Sequence, residues 1–276
     1  MKYPVELTKY TADQCYSQYA SEDFKVWEKS FNQQLQLLNT HSEYIEPTYI
    51  SGFHKLGFTS DKIPTVEDLN YSLRELNWSI VFVDRHVPAL PYMRFIARGI
   101  FPIARNIRSL QQFNNSPSPD LIHDIFGHLP MLFSDKYREF LLGVTAPVEE
   151  LNLKHDSLLF IHLNRLFLWS IEFGLIGTPK DHKYFGAGIL SSPTQLNNIR
   201  QGNIKIEPYS LEVAQHAINY DGIQDKLFAA EDFEQFNDIL NKFLGGNAKL
   251  YQEYISSELL RTEKLVINHQ NNKVMS

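Results

Sequence analysis

The segment "DLIHDIFGHLPMLF", residues 120–133, carries two histidines on what its apolar pattern predicts is a short buried helix closed by a proline. On an ideal α-helix, a spacing of five residues rotates the side chain of His128 by about 140° from that of His123. The two imidazoles can therefore share a metal only if His123 lies near the helix start or the backbone forms a local π-type bulge, a device found at functional sites. Two core histidines bonded to carbonyl groups are the alternative interpretation.

The composition restricts both the partners and the kind of metal site. The chain has 276 residues, of which 43% are hydrophobic and 21% charged, so it can bury a sizeable core. Its net charge of −6 offers no basic excess for nucleic acid or an anionic membrane surface. The single cysteine, Cys15, excludes an intrachain disulfide and zinc sites with several thiolates. With no signal peptide and no apolar run of about 18 residues, we expect a cytoplasmic protein whose metal ligands are nitrogen and oxygen atoms.

Apolar spacing predicts a mostly α-helical protein with a few short β-strands. Because the sequence has no internal repeat, low-complexity tract or Gly/Ser linker, residues 1–276 are expected to form a single domain. Further helices are expected over 11–41, 46–58, 65–76, about 92–98, 156–176, 210–218, 230–246 and 247–264. Residues 78–84 predict a strand, and 183–193 a turn or short hairpin. Candidate capping residues are Thr11 or Ser21, Thr65 with Asp68, and Ser118 or Asp120.

A lone acid, Glu172, lies in the otherwise apolar stretch 167–176, "FLWSIEFGLI". A buried carboxylate costs several kcal/mol unless it is paired or coordinates a cation. Arg165 or His162 on the same predicted helix could pair with it. The other possibility is a metal, because two histidines and one carboxylate form the ligand set of the non-haem iron(II) facial triad. Zinc hydrolases use the same ligands, so the residue types do not choose between the two metals.

Three blocks of sequence carry a resemblance to a known family. "SPSPDLIHDIFGHLP" (116–130), "EFGLI" (172–176) and "YFGAGILSSP" (184–193) resemble the signature blocks of the tetrahydropterin-dependent aromatic amino acid hydroxylases, most closely the short bacterial phenylalanine 4-hydroxylases. The resemblance extends over about 45–244. It implies a mostly helical catalytic domain with short strands and iron in a cleft, without a separate regulatory domain.

The resemblance implies roles for particular residues. His123, His128 and Glu172 match the iron ligands. Arg108 matches the residue that holds the substrate carboxylate, which suits the bidentate fork of a guanidinium. The implied substrate-binding residues are Arg108, Ser116, Pro119, Asp120, Leu168, Gly188 and Ser191, and the implied pterin-binding residues are Val87, Ala89, Tyr92 and Asp124. No catalytic residue is expected beyond the metal site.

The sequence departs from the family pattern mainly at the implied pterin loop. Arg85 and His86 replace a glycine and a small apolar residue, and Tyr92 replaces a stacking phenylalanine. If the loop still packs on the pterin, we expect the Arg85 and His86 side chains to point outward to solvent. Leu168 stands where the family has a tryptophan, which would enlarge the substrate pocket.

The activity that the resemblance implies is ring hydroxylation of an aromatic amino acid, most simply L-phenylalanine to L-tyrosine. Fe(II), a tetrahydropterin and dioxygen would take part, and the protein would be a monomer or small homo-oligomer. One alternative is the same iron scaffold acting on tryptophan or another aromatic substrate, possibly without pterin. The other is a non-catalytic metal-binding protein of this fold. Buried charges kept at His123, His128, Glu172 and Arg108 argue against the second alternative.

Overall fold

Most of the described chain lies in helices. The computed structural model describes residues 5–84, 86–114, 116, 118–219 and 223–245. The α-helices in these ranges are Val5–Thr8 (α1), Ser21–His41 (α2), Pro47–Leu56 (α3), Val66–Leu73 (α4), Ala89–Ile96 (α5), Asp135–Glu150 (α6), Leu158–Phe167 (α7), Ala187–Leu190 (α8), Pro193–Arg200 (α9) and 233–245 (α10). The mostly helical fold class is confirmed.

Within the described ranges, six short strands form two small sheets. The strands are Ser79–Val83 (β1), Ile100–Ala104 (β2), Gly174–Gly177 (β3), His182–Tyr184 (β4), Lys205–Pro208 (β5) and Lys226–Ala230 (β6). β1 and β2 pair in parallel, with Ile80 opposite Phe101. The second sheet has the order β4-β3-β6-β5, in which only β3 and β4 are antiparallel. The predicted strand is thus β1, whereas β2, β5 and β6 were missed.

The main hydrophobic core joins the helices to the segment that carries the two histidines. Trp27 of α2 stacks on Phe126 with ring centroids 4.9 Å apart, and Phe53 of α3 lies 6.0 Å from the same ring. α3 also approaches residues 129–133 so closely that a Cβ on Gly52 would lie 1.9 Å from the Pro130 carbonyl oxygen. Packing of α2 and α3 therefore fixes the position of the segment from Phe126 to Pro130.

Several predicted helix starts are confirmed and others are wrong. The capping box at Thr65 and Asp68 forms with both of its hydrogen bonds. The helix predicted over 11–41 begins only at Ser21, and neither proposed cap is used, because the Asp23 carboxylate accepts from the Ala20 N–H at 2.7 Å. The helix predicted from about residue 92 begins at Ala89, since prolines in a first turn replace N–H groups that have no intrahelical partner.

The C-terminal half shows the largest differences from prediction. The helix predicted over 156–176 ends at Glu172, because residues 174–177 pair as β3 with two other strands. The segment 183–193, predicted as a turn or short hairpin, contains most of β4, which pairs with β3, and then α8. Residues 211–215 form only a short 3₁₀ helix within the helix predicted over 210–218. The helix predicted over 247–264 lies outside the described residues. None of the helices that the structure describes combines the length and apolar character needed to cross a bilayer.

Candidate metal centre and its cleft

The two histidines lie at the ends of a π-helix, His123–His128. This is one of the two backbone arrangements in which histidines five residues apart can share a metal, and the two imidazole ring centroids lie 5.1 Å apart. Asp120 caps the segment, as predicted for one of its two candidates, because its Oδ1 accepts from the His123 N–H at 3.1 Å. The helical irregularity thus turns both imidazoles toward one point.

Pro130 gives a physical reason for the irregular backbone. A regular helix would pair the N–H of residue 130 with the Phe126 carbonyl, but proline has no N–H. The buried Tyr49 hydroxyl donates to that carbonyl instead, and it accepts from Gln34 Nε2 at 2.7 Å. A side chain from α3 therefore satisfies the carbonyl oxygen that the proline leaves free.

Glu172 ends a second π-helix, Leu168–Glu172, and faces both histidines. Its Oε1 lies 3.1 Å from His128 Nε2, and its Oε2 lies 3.4 Å from His123 Nε2. The alternative partner Arg165 instead donates to the carbonyls of Ala214 and Gln215. The carboxylate and two imidazoles predicted from the sequence are therefore brought together.

The three groups change one another's pKa values strongly. Burial raises the pKa of the Glu172 carboxyl, but the two imidazoles lower it by more, so its pKa lies well below the usual range. Burial lowers the pKa of His123, but the Glu172 carboxylate raises it by more, and the net pKa is raised. An ionised carboxylate between two imidazole nitrogens is a donor set that fits a divalent transition metal, whose binding displaces the histidine protons.

A second carboxylate, Asp124, lies beside the pair. One ligand atom from each of His123, Asp124 and His128 falls within 4.8 Å of the others. Asp124 Oδ2, however, accepts from the Ala104 N–H at 2.7 Å, and burial raises the pKa of this carboxyl to about 6. Glu172 is the better candidate ligand because its two oxygens face both Nε2 atoms, whereas Asp124 ties the π-helix to β2.

Ser191 fixes the orientation of His123. The Ser191 hydroxyl donates to the Ala187 carbonyl at 2.7 Å, so its oxygen is the acceptor in the 2.8 Å contact with His123 Nδ1. This arrangement places a proton on Nδ1, so Nε2, the nitrogen that faces Glu172, is the one that can give its lone pair to a metal. Nδ1 of His128 is buried and has no hydrogen-bond partner among the described residues.

The helix that precedes Ser191 packs directly on both π-helices. A Cβ on Gly127 would lie 2.8 Å from the Ala187 Cβ, and one on Gly186 would lie 2.5 Å from the Glu172 carbonyl oxygen. Only hydrogen atoms fit at these two positions. The glycines therefore allow α8 to bring the Ser191 hydroxyl into hydrogen-bond contact with His123.

His123, His128 and Glu172, the candidate metal ligands, form part of the wall of a cleft with a volume of about 360 Å³. This is a size typical of small-molecule sites. All but one of the predicted site residues line it, namely Val87, Ala89, Tyr92, Arg108, Ser116, Pro119, His123, Asp124, His128, Leu168, Glu172, Gly188 and Ser191. Asp120 does not line the cleft, because it is fully buried behind Arg108.

Arg108 and Asp120 form a buried ion pair. Arg108 Nε and Nη2 donate to the two carboxylate oxygens at 2.9 and 2.6 Å, and Nη1 donates to the Phe113 carbonyl at 3.2 Å. A surface salt bridge, the alternative for Arg108, is excluded because the two side chains are 6% and 1% exposed. Three of the five guanidinium N–H groups are thus used inside the protein, which leaves two for a ligand.

In the implied pterin loop, His86 is an exposed residue that also borders the cleft. The expectation that its side chain points outward to solvent when the loop packs on a pterin stays a prediction. Arg85 lies outside the described residues. Tyr92 also lines the cleft, and its ring packs edge-on against Phe101 and Phe167 with centroids 6.0 and 6.1 Å away.

The sequence did not reveal several other residues that line the cleft. They are Asn114, Ser118, Asn164, Phe167, Phe173, Gln195, Ile218 and Asn219 among others. Most come from loops or from helix faces whose orientation depends on long-range packing. The sequence offers one usable signal, the apolar run 158–168, which leads into the π-helix of Glu172.

Comparisons with known proteins agree with this geometry. A model of the family described as biopterin-dependent aromatic amino acid hydroxylase matches residues 7–272. A phenylalanine-4-hydroxylase from Mesorhizobium japonicum is 30% identical over 243 residues, covering 86% of this chain and 84% of that protein. One from Pseudomonas aeruginosa is 29% identical over 196 residues, covering 69% and 72%. The Chromobacterium violaceum phenylalanine hydroxylase structure with bound Fe(III) superposes with a TM-score of 0.78 at 25% identity, covering 91% and 93%.

The chain belongs to the biopterin-dependent aromatic amino acid hydroxylase family. The predicted resemblance and the predicted enzyme class, an aromatic amino acid hydroxylase, are therefore confirmed.

Proposed function

We propose that this protein hydroxylates the ring of L-phenylalanine to give L-tyrosine, with Fe(II), a tetrahydropterin and dioxygen. The observation that carries the proposal is the position of the Glu172 carboxylate, 3.1 and 3.4 Å from Nε2 of His128 and His123, on the wall of a cleft that also contains Arg108. Iron held by these three residues would supply the activation of dioxygen, with electrons from the pterin.

The protein's own residues position the substrate and exclude water. The apolar side chains of Phe167, Leu168 and Phe173 line the cleft and suit an aromatic ring. The two remaining N–H groups of Arg108 would bind the substrate carboxylate, and Ser116, Pro119, Gly188 and Ser191 border the same space. No side chain needs to remove a ring proton as a general base, so none is assigned that role.

The pterin would lie on the side of the cleft formed by the residues that precede and begin α5. Val87 and Ala89 supply small apolar contacts there, and Tyr92 offers an aromatic face. Asp124 lies between this side and the histidines. His86 borders the same space, and its side chain must make room for the pterin or contact it.

Product analysis tests the proposal. The protein is loaded with Fe(II) without oxygen, then exposed to oxygen with tetrahydrobiopterin and each aromatic amino acid, and products are read by mass spectrometry. We expect tyrosine from phenylalanine only when both iron and pterin are present. Hydroxytryptophan as the main product would favour the alternative substrate, and turnover without pterin would favour another reductant. Iron binding without any product would contradict the proposal.

We also infer a cytoplasmic location, a small-molecule substrate, and a monomer or small homo-oligomer formed by one catalytic domain. The single cysteine supports a reducing compartment. Gel filtration with light scattering measures the oligomeric state.

A further inference from the structure

Gln195 borders the cleft, and the nitrogen of its side-chain amide has no hydrogen-bond partner among the described residues. It lies in the first turn of α9, its residue is 4% exposed, and it contributes to the cleft wall. Its Nε2 is shielded from water and has no hydrogen-bond partner in the described part of the chain. Burying an amide N–H without a partner destabilises a fold, so such a group calls for an explanation.

The local partner that the sequence would provide is not used. Ser192 and Gln195 stand three residues apart at a helix start, in the S-x-x-Q arrangement of a capping box. The Ser192 hydroxyl accepts from the Gln195 backbone N–H at 3.3 Å, which is the first half of that motif. The Ser192 backbone N–H, however, donates to the Ile189 carbonyl at 3.3 Å. The Gln195 side chain is therefore not needed for capping.

The position of Gln195 places it on the Arg108 side of the cleft. Thr194, its neighbour in α9, donates from Oγ1 to the Asn114 carbonyl at 3.4 Å. The residue before Asn114 is Phe113, whose carbonyl accepts from Arg108 Nη1 at 3.2 Å. The start of α9 thus packs on the segment that holds the guanidinium.

Arg108 alone does not supply enough N–H donors for the carboxylate of a bound ligand. Arg108 is neutralised by Asp120, whose carboxylate occupies the Nε and Nη2 edge of the guanidinium. A carboxylate ligand has about four acceptor sites, and two guanidinium N–H groups remain for it. A further N–H donor at the cleft wall would satisfy one of the acceptor sites that remain.

We propose, resting on the function proposed above, that Gln195 is a substrate-binding residue that donates its amide N–H to the carboxylate of the amino acid. Rotation of the terminal amide about its last bond, a torsion with a broad profile, exchanges the positions of nitrogen and oxygen. No partner of the nitrogen has to be given up for this rotation. Gln195 and Arg108 together then select ligands that carry a carboxylate.

Binding measurements on the iron-loaded protein without oxygen test the proposal. Calorimetry gives the Kd of L-phenylalanine and of 2-phenylethylamine, which has the same ring and amine but no carboxylate. Hydrogen bonds to charged groups are among the stronger ones, so Gln195→Leu should raise the Kd of L-phenylalanine about ten-fold or more. The Kd of 2-phenylethylamine should stay within about two-fold. Equal losses for both ligands would show a packing role and overturn the proposal.

Two further variants keep the test decisive. Gln195→Glu places a carboxylate opposite the substrate carboxylate and should weaken L-phenylalanine binding by more than Gln195→Leu; unchanged or tighter binding would overturn the proposal even if Gln195→Leu does not fold. Asn198→Leu, on α9 but outside the cleft wall, is the control and should bind L-phenylalanine normally. Failure of the wild-type protein to bind L-phenylalanine would overturn the proposed function together with this inference. Normal wild-type binding with unchanged Gln195 variants would overturn this inference alone.

Discussion

Two sides of the cleft hold their polar groups in different ways. The proposed metal side is formed by His123, His128 and Glu172, and the proposed substrate side by Arg108. His123, His128 and Glu172 are placed by the backbone of two π-helices, and close packing of α8 supports them. Arg108 is placed by an ion pair with Asp120 instead. At the metal side the geometry is a property of the helices, so a ligand can be removed without unfolding the protein. At the proposed substrate side one guanidinium serves stability through its bonds to Asp120 and Phe113 and would serve binding through its remaining N–H groups, so a substitution there changes both.

The sharpest test of this difference is removal of one metal ligand. His128→Ala should abolish iron binding and hydroxylation while the protein stays folded, because the backbone of the π-helix remains and the Nδ1 that lacks a partner disappears. Iron content by elemental analysis and circular dichroism measure the two effects. His182→Ala in β4, outside the cleft wall, is the matched control and should retain iron. Full iron occupancy in His128→Ala would refute the ligand assignment.

The next largest effect is expected at Arg108. Arg108→Ala leaves the buried Asp120 carboxylate unpaired, so the free energy of unfolding should fall by about 3–5 kcal/mol. The substrate KM should rise roughly ten-fold or more, with iron content unchanged. Arg108→Lys keeps a charge beside Asp120 but has no planar fork, so it should recover part of the stability while the KM stays high. Denaturant unfolding and steady-state kinetics measure both, and a wild-type KM in either variant would contradict the binding role.

The sequence by itself restricted the proposed metal site without deciding it. The spacing of His123 and His128 allows a shared metal only with a π-type bulge or with His123 near the helix start, and two core histidines stayed an alternative. The cost of a buried carboxylate requires a partner for Glu172, but Arg165 and His162 were candidates beside a metal. The resemblance to the hydroxylase family, rather than spacing or burial, implied the three ligands.

The remaining features depend on contacts between distant parts of the chain. β2 contains Pro102 and pairs only with β1 in its sheet, so its sequence gives a weak strand signal. No sequence pattern singled out Gln195, because its place in the cleft depends on the packing of α9 against residue 114.

A smaller effect is expected at Tyr92, on the pterin side. Tyr92→Ala should weaken tetrahydropterin binding by about 1–3 kcal/mol, a range taken from aromatic stacking on bases. It should also lower stability, because the ring packs against Phe101 and Phe167. Tyr92→Phe keeps the ring and should bind pterin like the wild type. Calorimetric titration of the iron-loaded protein measures this, and unchanged affinity in Tyr92→Ala would remove Tyr92 from the pterin site.

The smallest effect is expected at Ser191, and it tests whether a hydrogen bond refines what the π-helix backbone already places. Ser191→Ala removes the acceptor of the His123 Nδ1–H, so the ring is free to place its proton on Nε2, where it competes with a metal. A neutral hydrogen bond is worth about 0.5–1.5 kcal/mol, so iron affinity should fall by roughly two- to twelve-fold. Ser192→Ala is the matched control, since the Ser192 hydroxyl accepts from the Gln195 backbone N–H at 3.3 Å and caps α9. That variant should lose about 1 kcal/mol of stability as a helix cap and keep its iron affinity.

Nitrogen-15 NMR of the imidazole in the metal-free protein reports the tautomer directly. If Ser191→Ala keeps both the Nδ1–H tautomer and full iron affinity, the backbone alone orients His123, and the hydroxyl has no part in the metal site.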